Sequence, residues 1–295
     1  MPSHRRLTCK LNYFQSIILL FAMVILIGAA LLMLPFSAQA HTVTPFHEAL
    51  FTATSAVCVT GLVVRDTASH WSAFGQAVLM VLIQIGGLGV ITVGASFSLL
   101  SGRRISLSQR GRMQEAMSAP KVGGIVRLTG FVIRTSLMIE GIGALCMLPV
   151  FCRDFGVSGI WKAVFHSVSA FCNAGFDLMG TPDTPFVSLT AYRADPVISL
   201  TISVLIVIGG IGFLTWDDVR TNRLHFHRYR LQSKVILTST ALLILLPTLY
   251  FFFFEFKGVT PQERLLLSLF QSITPRTAGF NTADMALMTE SGKAV

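Results

Sequence analysis

The sequence predicts an all-α polytopic membrane protein built from repeated helix–pore-loop–helix units, and three observations carry that prediction. Hydrophobic residues make up 53% of the chain and charged ones only 13%, with a mean hydropathy of +0.67, outside the range of soluble globular domains. Five apolar runs, at 11–40, 72–102, 135–152, 197–216 and 235–254, approach or exceed the roughly 20 residues that a ~30 Å hydrocarbon core requires; only the third holds a charge, Glu140. Finally, an amphipathic stretch of about ten residues runs three times into a short polar segment ending on a glycine, at Gly61, Gly175 and Gly279. Recurrence at about a hundred residues signals repeat architecture.

The elements follow in order. The first unit, 1–105, opens with a run that ends near Pro35 and is too long for a signal-peptide core. Pro45 is placed to start a short helix over 46–56. Eleven or so residues cannot cross a bilayer, so this helix dips in, and the chain returns through 58–64 and crosses again from Trp71. A basic loop at 106–122 leads to the second unit, 123–220: a span ending near Pro149, a short helix over 158–170, a return over 171–176 and a proline-containing loop at 177–196. After a second basic loop, 221–234, the third unit occupies 235–295: a span, a short helix from Pro261 and a return over 274–280, with no closing span.

The net charge of +9 reads as topology rather than as a nucleic-acid surface. Arg5, Arg6 and Lys10 precede the first span, and the loops at 106–122 and 221–234, with their flanks, hold most of the remaining arginines and lysines. The positive-inside rule then puts the N-terminus in the cytoplasm and all three glycine segments toward the outside of a multi-pass protein of the cell membrane. Five cysteines show neither a CxxC pair nor zinc spacing.

An ion leaving water needs oxygens to replace its hydration shell, and backbone carbonyls of an extended, glycine-ended segment can supply them. A short helix dipping into the membrane also turns the negative end of its dipole toward the same point. No acidic side chain lies in 57–61, 171–175 or 274–279. That favours a carbonyl filter over a carboxylate ring, and potassium over calcium. A second echo, Ile85-Gly86-Gly87-Leu88-Gly89 and Ile208-Gly209-Gly210-Ile211-Gly212, reads as glycines packing the closing helices closely.

These residues resemble the Trk/Ktr/HKT superfamily of potassium transporters, most closely the membrane subunit of bacterial Ktr-type uptake systems. The resemblance rests on 53–62 with Asp66 after it, Gln84-Ile-Gly-Gly-Leu-Gly89, Phe165 through Phe176, and Arg276-Thr-Ala-Gly-Phe-Asn281, and it covers nearly the whole chain. It implies four helix–pore–helix repeats around one pore, as in potassium channels, of which about two and a half are present. It also implies a homodimer in the lipid bilayer on a cytoplasmic ring of nucleotide-binding regulatory subunits. By position, Val57, Cys58, Val59, Thr60 and Gly61 form one filter segment, Phe171, Cys172, Asn173, Ala174 and Gly175 a second, and Arg276, Thr277, Ala278 and Gly279 a third. K+ would be held by carbonyls alone, with Na+ as a candidate activator and no covalent cofactor. The resemblance further implies that the family's fourth repeat and gating loop lie beyond Val295; a pore walled on three sides would open to lipid, which counts against transport by 295 residues alone.

Other residues carry weaker signals. Glu140 is an intramembrane carboxylate and hence a candidate functional acid, with a structural role as the competing reading. His225 and His227 beside Arg228 read as a solvated basic loop rather than a metal site. Asp217 and Asp218 are expected to pair with Arg220 and Arg223, and Asp284 is one candidate partner for Arg276, whose charge would repel K+ unless it points away. The aromatic run 250–254 reads as an interfacial belt. Three functions compete: gated potassium uptake, or a sodium-permeable variant of it; a non-conducting remnant; and a membrane-embedded enzyme, for which no nucleophile–base motif is found.

Overall fold

The computed structural model describes residues 13–89, 92, 111, 125–223, 225–283 and 288–294. The described residues are helical: α1 (Tyr13–Leu32), α2 (Phe46–Val57), α3 (Thr67–His70), α4 (Ala73–Leu88), α5 (Ile125–Phe155), α6 (Ser158–Phe171), α7 (Pro196–Gly210), α8 (Phe213–Asn222), α9 (Leu231–Tyr250), α10 (Pro261–Thr277) and α11 (Glu290–Ala294). Stretches 15–32, 126–155 and 231–255 are long and apolar enough to cross a membrane. Their outward faces are apolar: Ile18, Met23 and Leu26 on α1, Met138 and Leu145 on α5, and Leu242 and Leu246 on α9 are all more than half exposed. Such faces suit lipid rather than water. The chain is an all-α membrane protein.

Local chemistry sets the helix starts. Pro45 immediately precedes α2, and Pro196 and Pro261 open α7 and α10, positions where a missing N–H costs nothing. The Asp195 carboxylate accepts from the Val197 and Ile198 amides at 2.9 and 3.1 Å, and Thr260 Oγ1 accepts from the Glu263 amide at 3.4 Å. α1 packs on α2, α5 on α6, α7 on α6 and α10, and α9 on α10. The buried centre of this packing holds Trp71, Phe151, Phe165, Phe176, Phe270 and Phe280, each almost wholly shielded.

Several expected boundaries move. The span expected to end near Pro149 continues to Phe155 with the proline inside α5. Neighbouring helices tolerate such a proline in a membrane by re-satisfying the freed backbone. The straight span expected over 197–216 is broken: α7 and α8 meet at 93°. Gly212, with φ of 83°, makes the turn, and the Trp216 indole donates to the Ile208 carbonyl at 3.0 Å, satisfying an oxygen that the break leaves free. α4 likewise stops at Gly89, φ 84°, and of residues 90–102 only Thr92 is described. Gly89 and Gly212 therefore end helices instead of packing them. Asp217 and Asp218 pair with Arg230, at 3.1 and 3.4 Å, rather than with Arg220 or Arg223, because the chain folds back after α8. Arg220 lies over the Phe131 ring instead, 4.5 Å from its centre.

Candidate ion pathway

The short helices α2, α6 and α10 each run into a glycine with positive φ: Gly61 at 76°, Gly175 at 72° and Gly279 at 79°. The first two segments share one geometry. Cys58 and Cys172 are still right-handed, Val59 and Asn173 turn left-handed at φ 56° and 58°, and the next amide folds back onto its helix. Thr60 N donates to the Ser55 carbonyl at 2.9 Å, and Ala174 N to the Ser169 carbonyl at 2.8 Å. Val57 and Phe171 are the last helical residues.

The third segment differs. α10 continues through Thr277, so Arg276 and Thr277 are helical and only Ala278 and Gly279 form the turn. From Thr274 to Gly279 the chain is one residue shorter than from Ser55 to Gly61, which leaves no room for the left-handed residue. The fold-back survives: Gly279 N donates to the Thr274 carbonyl at 3.1 Å. Arg276 turns outward to α9, where Nη2 donates to Thr240 Oγ1 at 3.3 Å; Asp284, its candidate partner, lies outside the described residues. An outward guanidinium removes the repulsion that a cation in a cation path would create.

The three segments converge. A Cβ on Gly61 would lie 2.7 Å from the Ala174 carbonyl oxygen and 3.5 Å from that of Ala278. A Cβ on Gly175 would collide with the Ala278 carbonyl and sit 3.6 Å from the Gly61 Cα. Thr277 Oγ1 donates to Asn173 Oδ1 at 2.8 Å, joining the second and third segments. Gly279 has no described atom within 4 Å of its Cβ position, so the cluster is open on that side among the described residues. The Ala174 and Ala278 carbonyl oxygens, from the second and third segments, thus lie against the glycines of the first and second, and no acidic side chain falls in any of the three.

Glycines also back the segments. A Cβ on Gly86 would strike the Val57 carbonyl, one on Gly87 the Cys172 side chain, and one on Gly209 the Phe171 carbonyl. Gly210 is looser, its nearest atom being Asn173 Nδ2 at 4.0 Å. Glu140 stands behind the second segment. Its carboxylate accepts from Gln84 Nε2 of α4 at 2.9 Å, and its backbone carbonyl accepts from Ser167 Oγ of α6 at 2.6 Å. It thereby ties α4, α5 and α6 together and is shielded from solvent.

Further residues brace the segments from behind. His166, wholly buried on α6, accepts the Leu178 amide on Nε2 at 3.2 Å and so carries its proton on Nδ1, which donates to the Lys162 carbonyl at 2.7 Å. Ser169 Oγ and Thr274 Oγ1 donate to the Phe176 and Phe280 carbonyls at 2.6 and 2.7 Å, bracing the two return chains alike. Beyond the glycines, burial pushes the Asp177 carboxyl up to about 6 against the opposing Met179 amide, with the nearby Asp66 carboxylate adding to the rise. Glu48 is held low by its hydrogen bond to Arg65, at 2.8 Å. Among the described residues no group of three or more His, Cys, Asp or Glu could hold a metal, and Cys58, Cys146, Cys152 and Cys172 are free thiols.

Comparison with known proteins supplies the chain's family. The chain is 40% identical to the potassium/sodium uptake protein NtpJ of Enterococcus hirae, over 98% of its own length and 64% of that protein's. It is 41% identical to the Ktr system potassium uptake protein B of Bacillus subtilis (92% of this chain, 60% of the relative) and 37% identical to that of Vibrio alginolyticus (98% and 64%). The chain therefore spans less than two thirds of the length of these relatives. A family model described as TrkH, cation transport protein, matches residues 9–295. With that match over nearly its whole length, the chain belongs to the TrkH family of cation transport proteins.

Proposed function

We propose that this chain builds the ion pathway of a potassium uptake system, in which K+ crosses through a filter of backbone carbonyls. The observation that carries the reading is the meeting of the Gly61, Gly175 and Gly279 segments, each of which runs on from the C-terminal end of a helix. In this reading 1–105, 123–220 and 235–295 are two repeats and part of a third, and the basic loops 106–122 and 221–234 lie in the cytoplasm with the N-terminus. Transport is passive and gated, driven by the membrane potential at about 2.3 kcal/mol per charge per 100 mV. The chain is no enzyme in this reading. By resemblance, it works as a homodimer on a nucleotide-binding cytoplasmic ring. NtpJ's description as a potassium/sodium uptake protein favours one second reading, that sodium also enters or activates the path.

Potassium-limited growth of cells lacking their own uptake systems tests the proposal. Where growth is supported, Gly61→Ser should lower the preference for potassium over sodium, because its side chain would meet the Ala174 carbonyl. A correctly inserted chain that gives neither growth nor potassium-selective stabilisation when purified would overturn the reading.

A further inference from the structure

The loop that follows the second glycine segment reaches both of the others. Within it, Ser188 Oγ accepts the amide of Asn281, two residues beyond Gly279, at 3.1 Å. Next to it, the Leu189 amide donates to the Asn281 carbonyl at 2.9 Å, so the third segment is gripped through both its backbone groups. On the other side, the Phe186 amide donates to Asp66 Oδ1 at 3.0 Å, five residues beyond Gly61, while Asp66 Oδ2 accepts from Ser69 N and Ser69 Oγ, each at 2.8 Å. Asp66 is buried, and Gly180 packs so closely on its carboxylate that a Cβ there would collide with it.

The loop is itself pinned. Leu178 and Leu189 are buried, the Leu178 amide is held by His166, and the Tyr192 hydroxyl donates to Asp154 at 2.9 Å. Phe186 and Ser188 both adopt left-handed angles, φ 59° and 48°, that such residues rarely take. Those two residues are the ones whose amide and hydroxyl reach Asp66 and Asn281. Strained backbone of this kind persists only where the surroundings over-determine it.

We propose that the 177–192 loop is a strap that sets the separation of the three glycine segments, with Asp66 and Ser188 as its positioning residues for ion selectivity. Neither side chain touches the ion; each acts through the return chain it holds. The short helices fix where each segment starts, and the strap fixes where each one ends. A carbonyl filter discriminates between ions through the spacing and number of its oxygens, so slack in the strap degrades discrimination before it stops ion movement. This inference rests on the proposed potassium pathway.

The test uses the whole purified chain with Asp66→Ala, Asp66→Asn and Ser188→Ala. Two quantities are read: backbone hydrogen exchange of the stretch 278–283 and of the strap, and the thermal stabilisation given by potassium chloride relative to sodium chloride. Ser188→Ala should speed exchange over 278–283 about tenfold, and Asp66→Ala should do the same in the strap around Phe186. Asp66→Asn keeps an acceptor oxygen for the Phe186 amide and should stay close to the unaltered chain. The potassium preference should fall about tenfold in the two alanine variants. Exchange that stays unchanged in both alanine variants overturns the strap, whatever the ions do. Faster exchange with an intact potassium preference overturns the selectivity role alone. An unaltered chain with no potassium preference, but the expected exchange changes, sinks the potassium reading and leaves the clasp standing as architecture without a filter to serve.

Discussion

At Glu140 a single residue, through its carboxylate and its backbone carbonyl, closes three helices on one another. The carboxylate holds Gln84, and the Glu140 carbonyl holds Ser167 one turn before the second glycine segment. Glu140→Ala would leave the Gln84 amide unpaired inside the membrane, at a cost of about 1–3 kcal/mol. Glu140→Gln keeps an acceptor and should cost less than half of that, a ranking readable from thermal midpoints in detergent. Asp177 gives a pH signature. Its folded carboxyl titrates near 6, above that of the unfolded chain. Between about pH 4 and 6 the unfolded chain has released a proton that the folded chain still holds, so stability falls as pH rises through that window. The midpoint temperature should decline over that interval and level off above it, and Asp177→Asn should flatten this part of the profile. Glu140 was visible in the sequence as a charge in an apolar run. Its partners were not, because Gln84 lies in a different helix 56 residues away.

Among the elements, the closing helices depend on glycine for two separate reasons, and adjacent residues separate them. Gly209 abuts the Phe171 carbonyl, whereas Gly210 has its nearest neighbour at 4.0 Å. Gly209→Ala should therefore sharply lower the yield of folded protein by size-exclusion in detergent, while Gly210→Ala should be tolerated. Gly212 is different again: its Cβ position is empty among the described residues, but its φ of 83° and ψ of 151° suit glycine alone. Gly212→Ala should cost about 1–3 kcal/mol through backbone strain only. The glycine tetrads were legible in the sequence, and so were the starts of α2 and α10, because Pro45 and Pro261 mark them locally. The break at Gly212 was not legible. A glycine in an apolar run reads the same whether it packs a helix or ends it, and tertiary contacts with the second segment decide between the two. The end of α10 was hidden for a related reason: the return expected over 274–280 is still helical through Thr277, with Pro275 inside the helix.

For the molecule as a whole, the features legible from sequence are those with long-range period: apolar runs, glycine segments and the alternation of basic loops. The strap was not legible, since it depends on pairings between residues 93 and 120 positions apart, Ser188 with Asn281 and Asp66 with Phe186. The proposed orientation makes its own prediction. With the native cysteines replaced, Thr181→Cys should react with a membrane-impermeant maleimide added outside intact cells, and Asn222→Cys only after permeabilisation. The reverse pattern would invert the topology and remove the potassium uptake reading with it. The bend between α7 and α8 has a further consequence. Straightening the pair would return the Ile208 carbonyl to the amide of Gly212 and release the Trp216 indole into an apolar surround. The chain has only three tryptophans; Trp71 is fully buried, and Trp161 is fixed to Gln76 at 2.8 Å. Any unbending during an ion's passage would therefore announce itself in the protein's own fluorescence, without a label.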